Sequence, residues 1–335
     1  MSTTVDKADQ VPAARPTGSI TSLIRRHGWT LGLVGILLVL LVVTRLIQPT
    51  YGPAGIQGLA VSVLPLAFAA VAQAIAVIAR GIDLSVGSMM ALTSVISATL
   101  MEDRSEGFAV LVVVGVLLLG CVLGAVNGSL IVVTRVPDIV VTLAMLFVWA
   151  GCALLVLSTP GGGSAEWLRG LTGGPILSEW IPKAALLLLV IVGAIWFPIR
   201  RSRLGLSLYA IGSDPLAAYR SGVSVTRTKI FAYTLTGLFS AFAGLSLTAS
   251  TGIGTPVPGP YTLLSVAAVV LGGVSLAGGR GGVFGPIVAV VILSLLRTDM
   301  TFLNVNTNLA TVAQGLILVG VVMVGSLLQL RKREP

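Results

Sequence analysis

Neutral polar side chains occur inside the apolar runs of this sequence, where they could form hydrogen bonds with a polar solute. These residues include Gln73, Ser94, Asn127, Thr142, Tyr233, Ser265 and Gln314. Hydroxyl and amide groups suit a neutral polyhydroxy solute, because such a solute must replace its bonds to water with bonds to protein. Trp149 and Tyr233 could also stack on a ring face of the solute, or fill packing and interface positions. Bonds between neighbouring helices are the alternative role for each polar group, so these residues form a candidate solute path.

Two interruptions of the apolar runs share a pattern. The segment RGIDLSVG occupies residues 80–87, and the segment GGRGGVFG occupies residues 278–285. Each places an arginine beside a glycine between two apolar stretches, as a duplicated unit would, with coincidence as the alternative. Non-helical backbone is tolerated inside a membrane only where it is packed in protein or faces a water-filled cavity. The two interruptions are therefore candidates for the mouth of the path, and Asp83 and Ser85 join the candidate residues.

The longest polar segment between two apolar runs covers residues 200–229 and is rich in basic side chains. Within it, Ser213, Asp214 and Pro215 predict the start of a short helix, because a short polar side chain caps free amides and proline suits the first helical position. Gly222 would end this helix. We expect the helix to lie on the cytoplasmic surface, where it could touch another protein; an ordinary solvated loop is the alternative. The candidate contact residues are Ser213, Asp214, Pro215, Leu216, Ala217, Ala218, Tyr219, Arg220, Ser221 and Gly222.

Composition indicates the environment of the chain. Of its 335 residues, 55% are hydrophobic and 10% are charged, whereas about 25% of the residues of a soluble domain are charged. The 40 glycines also fit helices that pack closely in a membrane. The net charge of +9 comes from basic residues in short loops, which indicates orientation in a membrane rather than a nucleic-acid partner. The chain is therefore predicted to be a polytopic membrane protein in contact with lipid.

Ten apolar runs approach the length of about 20 residues that a membrane-spanning helix needs. They are Trp29–Ile47, Leu59–Ala79, Val86–Met101, Phe108–Val133, Ile139–Leu157, Ile181–Ile199, Ile230–Ser250, Leu263–Ala277, Val283–Arg297 and Asn308–Leu330. The third, eighth and ninth runs are short, so re-entrant or broken helices are expected there. The predicted fold is an all-α integral membrane protein of about ten transmembrane helices, with a possible internal repeat.

The distribution of lysine and arginine predicts the orientation of these spans. With the N-terminus inside, the predicted inside segments carry 16 of these residues and the outside segments or span ends carry 5, as the positive-inside rule requires. Segments 80–85 and 278–282 are then inside, and the proline-containing segment 251–262 is outside. The predicted organisation is a disordered cytoplasmic tail (1–28), a transmembrane domain (29–330) with the cytoplasmic basic loop (200–229), and a basic cytoplasmic tail (331–335).

Several chemistries lack the residues they need. No lysine follows a glycine, which excludes a P-loop for nucleotide phosphates, and the single histidine, His27, excludes an H-E-x-x-H metal site. Cys121 and Cys152 lie in apolar runs without metal-ligand spacing and are predicted to be packing residues. The acidic residues fall in loops, tails or span ends, whereas proton-driven carriers place carboxylates within their spans. We therefore expect no catalytic residue, no bound metal or cofactor and little coupling to an ion gradient.

One run carries glycines spaced for close helix packing. Gly120, Gly124 and Gly128 form two G-x-x-x-G steps on one helix face, an arrangement that lets two helix backbones approach. The partner helix belongs either to this chain or to a second membrane chain.

Four segments of the sequence resemble the permease subunits of bacterial ribose/xylose-type ABC importers. They are GIDLSVGSMMAL (81–92), VPDIVVTLAML (136–146), LYAIGSDPLAAYRSGVSVTRTKIFAYTLTGLFSAFAGL (208–245) and VVLGGVSLAGGRGGVFGPIVAVVIL (269–293). Their order and spacing match from about Leu59 to Leu303. The resemblance implies a multi-pass protein of the bacterial inner membrane that pairs with an identical or sibling permease. It also implies ABC ATPase subunits inside, which hold ATP and Mg, and a periplasmic sugar-binding protein outside.

The resemblance gives the basic loop a role, because the short helix from Asp214 to Ser221 is then a coupling helix seated in a groove of the ATPase. Three residues depart from the family pattern: Arg80 replaces a usual glycine, Asp138 a usual neutral residue, and Asp214 a usual asparagine. Arg80 and Asp138 have opposite charges and are expected to pair. The implied function is ATP-driven uptake of a monosaccharide or related polyol by alternating access. The alternatives are a branched-chain amino acid ABC permease, an ion-gradient-driven secondary transporter, and a channel or membrane scaffold.

Overall fold

The structure is a computed structural model that describes residues 20–306, together with 308–313, 315, 316, 319, 320 and 323. Twelve helices are assigned within residues 20–306. They are α1 Ile20–Ile47, α2 Pro53–Ile78, α3 Val86–Met101, α4 Glu106–Thr134, α5 Asp138–Val156, α6 Glu166–Thr172, α7 Lys183–Arg201, α8 Arg203–Ser213, α9 Pro215–Arg220, α10 Val225–Thr251, α11 Tyr261–Leu271 and α12 Phe284–Phe302. Between residues 20 and 306, β-structure is limited to two isolated bridges, Gly161–Gly254 and Pro175–Pro182.

Seven of these helices are long and apolar enough to cross a membrane, namely α1, α2, α4, α5, α7, α10 and α12. Two shorter apolar helices, α3 and α11, correspond to the third and eighth predicted runs, and α3 has the predicted bounds. The helix of the eighth run, α11, ends earlier than predicted, at Leu271, since Gly273 takes a positive φ of 78°. The ninth predicted run was expected to form a short helix, but the helix found there, α12, has 19 residues. Of the tenth predicted run, residues 308–313, 315, 316, 319, 320 and 323 are described and are helical, whereas Gln314 and residues 1–19 and 331–335 of the predicted tails lie outside the described residues.

The centre of the bundle is formed by α2 and α10, which pack against each other. α2 is buried along most of its length because it is rich in alanine and aliphatic residues that other helices can approach closely. Phe68 of α2 stacks with Phe242 of α10 at a centroid distance of 5.5 Å. By contrast α1, α5 and α7 expose broad apolar faces, as helices in contact with lipid do.

The glycine stripe of α4 packs within the chain, on α10. A Cβ atom at Gly120 would lie 2.6 Å from the carbonyl oxygen of Gly237, and one at Gly128 would lie 2.9 Å from Cα of Ile230. At Gly124, an added Cβ would overlap the carbonyl oxygen of Tyr233. Side chains at these positions would push α10 away from α4, so the stripe explains how the two helices approach so closely.

Two non-helical breaks interrupt the bundle where the sequence predicted them. The first break, residues 79–85, separates α2 from α3, and the second break, residues 272–283, separates α11 from α12. The second break contacts the end of α2, directly before the first break, because the amide of Gly279 donates a hydrogen bond to the carbonyl of Ile78 (3.0 Å). α3 and α11 both begin beside the first break, and their 16 and 11 residues are fewer than the roughly 20 that a full crossing needs.

Candidate solute site and coupling surface

A hydrogen-bonded chain of polar side chains ends at the carboxylate of Asp83, which is fully buried. Asp83 Oδ1 accepts hydrogen bonds from the backbone amide (2.8 Å) and the hydroxyl (2.6 Å) of Ser85. Asn127 Nδ2 donates to the Ser85 hydroxyl (2.7 Å), and Trp149 Nε1 donates to Asn127 Oδ1 (3.2 Å). We call Gln73, Asp83, Ser85, Asn127 and Trp149 the Asp83 cluster. The cluster contains five of the predicted solute-path residues. Gln73 comes from α2, Asp83 from the first break, Ser85 from the N-cap position of α3, Asn127 from α4 and Trp149 from α5.

The Gln73 side chain bonds to the backbone of Asp83. With its side-chain amide oriented to satisfy both groups, the Gln73 nitrogen donates to the Asp83 carbonyl (2.8 Å) and its oxygen accepts from the Asp83 amide (3.3 Å). The second carboxylate oxygen, Asp83 Oδ2, is buried without a hydrogen-bond partner among the described residues. A buried polar atom left without a partner costs about 1–3 kcal/mol, and more when it is charged. The cluster therefore holds an acceptor that one additional donor would satisfy.

Two threonines hold the backbone on both sides of Asp83. Thr142 of α5 accepts from the Leu84 amide (3.1 Å) and donates to the Ile82 carbonyl (3.0 Å). Thr262 of α11 accepts from the Gly87 amide (3.1 Å) and donates to the Leu84 carbonyl (3.3 Å). Thr142 was predicted to belong to the path. Thr262 was missed because segment 251–262 was assigned to a loop at the far side of the membrane, whereas its last residue reaches the first break.

The remaining predicted path residues do not join the Asp83 cluster. Ser94 bonds to Thr248 (2.9 Å) in a separate polar group between α3 and α10. The Ser265 hydroxyl donates to the Thr262 carbonyl in its own helix (2.7 Å). Tyr233 donates to Asp138. These three residues therefore have partners elsewhere.

Asp138 forms an ion pair with Lys229, so the predicted pairing of Arg80 with Asp138 is wrong. Lys229 Nζ lies 2.7 Å from Asp138 Oδ1, and the Tyr233 hydroxyl donates to Asp138 Oδ2 (2.8 Å). Lys229 and Tyr233 are four residues apart on α10, the spacing that places two side chains on one helix face. Arg80 instead lies in the first break, two residues after the end of α2, with a positive φ of 61°, and it is exposed.

The predicted short helix is present as α9 and follows directly on α8, which the sequence did not predict. Asp214 caps α9 by accepting hydrogen bonds from the amides of Leu216 (2.8 Å) and Ala217 (3.1 Å). These two backbone bonds hold the pKa of Asp214 below its usual range. Pro215 occupies the first helical position, and Gly222 follows the helix with a φ of 84°. Capping, proline and glycine thus act as the local sequence indicates.

α9 presents an apolar and basic face to its surroundings. Ala218 is buried beneath it, whereas Leu216 and Tyr219 are 58% and 69% exposed. Arg220 ends the helix and is also exposed. Such a face, anchored on one side and open on the other, is suited to contact with a partner.

Seven long apolar helices, with a buried polar cluster formed between some of them, define a multi-pass membrane protein. Residues 55–324 match a family described as the permease component of branched-chain amino acid transport systems. The chain belongs to this family of permease components.

Individual relatives are similar over most of their length. The chain is 34% identical over 314 residues to the L-arabinose ABC transporter permease protein AraH of Azospirillum brasilense, covering 92% of this chain and 89% of that protein. It is 31% identical over 267 residues to the ribose import permease protein RbsC of Escherichia coli K12 (77% and 81%). It is also 31% identical over 277 residues to the galactose/methyl galactoside import permease protein MglC of Salmonella typhimurium (77% and 82%). None of the solved structures compared with the chain matches it.

Proposed function

We propose that this chain is the permease subunit of an ABC importer that carries a monosaccharide or related polyol. The similarity to permeases named for ribose, arabinose and galactose supports a sugar. The observation that carries the proposal is the Asp83 cluster, with its buried, unpartnered acceptor Oδ2. A polyol offers several hydroxyl donors, and one of them could satisfy this oxygen. A branched-chain amino acid, which the family description names, would bring a second carboxylate toward Asp83.

The position of the cluster supports its role as part of the solute path. α3 and α11 both begin at the first break, and Thr262 at the start of α11 bonds to Gly87 at the start of α3. Interrupted helices that begin inside a bundle form the binding sites of many transporters. In this proposal the solute reaches the Asp83 cluster when α5, which carries the partly exposed Trp149, moves aside.

The coupling surface is proposed to be α9 with residues 213–222, within the loop 200–229 of a transmembrane domain covering 29–330. In this scheme about ten spans, related by an internal repeat, cross the bacterial inner membrane with both termini in the cytoplasm. Partner ATPase subunits bind ATP and Mg, and α9 lies in a groove of these subunits. A second permease completes the path, and a periplasmic sugar-binding protein delivers the solute.

Uptake by living cells tests the solute class with the native partners in place. A strain lacking this gene would be complemented with the wild-type gene, and the uptake of labelled ribose, arabinose, galactose and leucine would be measured. We expect one of the sugars to be restored and leucine to be unaffected. Uptake should stop on ATP depletion and persist with an uncoupler. Restoration of leucine alone, or uptake that survives ATP depletion, would refute the proposal.

Variants of α9 test the coupling surface. Asp214→Pro removes the cap and Arg220→Glu reverses a charge at the end of the helix, so both should abolish sugar-stimulated ATPase activity while leaving the permease in the membrane. Asp214→Asn is the matched control, because asparagine also caps helices well. The measurement is ATPase activity of the purified complex with and without sugar. Normal stimulation in both test variants would show that coupling occurs elsewhere.

A further inference from the structure

Asp138 joins two helices that belong to different parts of the proposed mechanism. It is the first residue of α5, and both of its carboxylate oxygens bond to α10, Oδ1 to Lys229 (2.7 Å) and Oδ2 to Tyr233 (2.8 Å). We call these three residues the Asp138 bridge. Within the described part of the chain, its ion pair is the one salt bridge found. Elsewhere α5 packs on α3 and α4, so the bridge is its link to α10.

On the α10 side, the bridge is close in sequence to the coupling surface. α9 ends at Arg220 and α10 begins at Val225. The turn between them is fixed by backbone bonds from Gly222 to Tyr219 (2.9 Å) and from Val223 to Ala218 (3.0 Å). Lys229 follows in the second turn of α10. A displacement of α9 would therefore reach Lys229 through a short, hydrogen-bonded segment.

On the α5 side, the bridge lies one helical turn before Thr142, which bonds to the first break. Thr142, four residues after Asp138, holds Ile82 and Leu84, and Trp149 further along α5 holds Asn127. The bridge also rests on the break itself. A Cβ atom at Gly81 would lie 2.5 Å from both Asp138 Oδ2 and the Tyr233 hydroxyl, so glycine leaves the room that the bridge occupies.

We propose that Asp138, Lys229 and Tyr233 are positioning residues that hold α5 over the Asp83 cluster and carry the movement of α9 to it. This inference rests on the proposed transport function and goes beyond it, since it identifies the connection between the coupling surface and the solute site. Partly buried ion pairs contribute little net stability, because desolvation offsets their attraction. A role in transmitting movement, rather than in folding, accounts for a pair at this position.

Charge neutralisation and exchange test the bridge. Asp138→Asn and Lys229→Met should each reduce the initial rate of sugar uptake about tenfold at equal membrane abundance, a loss of about 1.4 kcal/mol. The exchanged pair Asp138→Lys with Lys229→Asp should recover a large part of the rate, although lysine at a helix N-terminus is unfavourable. Tyr233→Phe, which removes one bond and keeps the ion pair, should cost less. Recovery by charge exchange would show that the two residues act as a pair, and a loss of uptake at equal membrane abundance is the readout that a purely structural role would not give.

Matched controls and a second measurement separate the bridge from the transport assignment. Asp103→Asn and Lys183→Met neutralise residues in exposed or peripheral positions and should leave uptake unchanged. The ATPase activity of the purified complex should persist in the single variants while uptake falls, which shows uncoupling. Single variants with normal uptake, or an exchanged pair no better than either single variant, would overturn the bridge. Absence of sugar uptake with the wild-type gene would instead overturn the sugar assignment. The ATPase activity of the single variants, compared with that of the wild type, would then still test the link between α9 and α5.

Discussion

The two breaks occupy matching places between helices, yet they are stabilised in opposite ways. The first break satisfies its backbone with side chains, through Gln73, Asp83, Thr142 and Thr262. The second break contains four glycines with positive φ, at residues 273, 278, 279 and 281, and its contacts are largely made by backbone. Side-chain hydrogen bonds can be exchanged for bonds to a ligand, whereas a close backbone contact cannot. Under the proposed transport function, this difference assigns the response to solute to the first break and the transmission of force to the second, and the predictions below test that division.

The second break is seated between the coupling surface and the first break. Gly279 bonds to Ile78 at the end of α2, and the Tyr209 hydroxyl of α8 donates to the Gly281 carbonyl (2.9 Å). Gly212, near the end of α8, lies so close that an added Cβ would be 2.5 Å from the Gly279 amide nitrogen and would overlap the Ile78 carbonyl oxygen. α8, α2 and the second break thus meet at one backbone junction.

The largest expected effect comes from filling this junction. In Gly212→Ala, the new methyl group meets backbone atoms of two other segments that cannot rotate away, so its cost should reach or exceed the top of the range of about 1–3 kcal/mol for overpacking. We expect greatly reduced membrane abundance, a lower thermal midpoint of the purified protein and loss of uptake. Abundance by immunoblot and a thermal unfolding scan are the measurements.

Gly282→Ala is the control for this prediction. Gly282 belongs to the same break, but an added Cβ would have no heavy atom within 4 Å. It should behave as wild type in abundance, thermal midpoint and uptake. If Gly212→Ala is as well tolerated as Gly282→Ala, the second break is not the rigid junction described above, and the contrast between the breaks loses its basis.

The next largest effect concerns the first break. Asp83→Asn keeps an oxygen for Ser85 and replaces the unpartnered oxygen with an amide, so a solute hydroxyl loses its charged acceptor. Hydrogen bonds to charged groups contribute about 1.5–3 kcal/mol, which corresponds to a loss in uptake of roughly tenfold or more. Removing a buried charge should at the same time leave the thermal midpoint unchanged or raise it. Normal uptake in Asp83→Asn, with Asp103→Asn as a surface control, would exclude the carboxylate from the solute path.

The sequence predicted those features that depend on local chemistry. The bounds of α3 followed from its apolar run, and the start of α9 followed from Asp214 and Pro215, because capping acts within one helical turn. The five-residue Asp83 cluster was predicted only as a set of separate polar residues. Which of them meet depends on how helices pack, and hydropathy carries no such information.

Long-range pairing was the part that sequence reasoning could not supply. Arg80 and Asp138 were matched by charge and side of the membrane, but Lys229 is the residue whose helix brings its ammonium group to Asp138. A pattern that could have indicated this is the spacing of Lys229 and Tyr233, which places an ammonium and a hydroxyl on one face. Thr262 was assigned to the far side because the predicted order of spans and the distribution of Lys and Arg placed segment 251–262 outside, and the return of that segment into the bundle is a tertiary feature.

The smallest predicted effect tests the link between α11 and the first break. Thr262→Val keeps the shape of the side chain and removes its bonds to the Gly87 amide and the Leu84 carbonyl, whose lengths of 3.1 and 3.3 Å indicate modest strength. The loss should be about 1 kcal/mol, seen as a small decrease in thermal midpoint and a reduction in uptake of a few fold. Thr301→Val, which removes an exposed bond within α12, is the control. α11 leads directly into the second break. If Thr262→Val lost uptake as completely as Gly212→Ala, the two breaks would move as one rigid unit. The division between a responsive break and a force-transmitting break would then have to be abandoned.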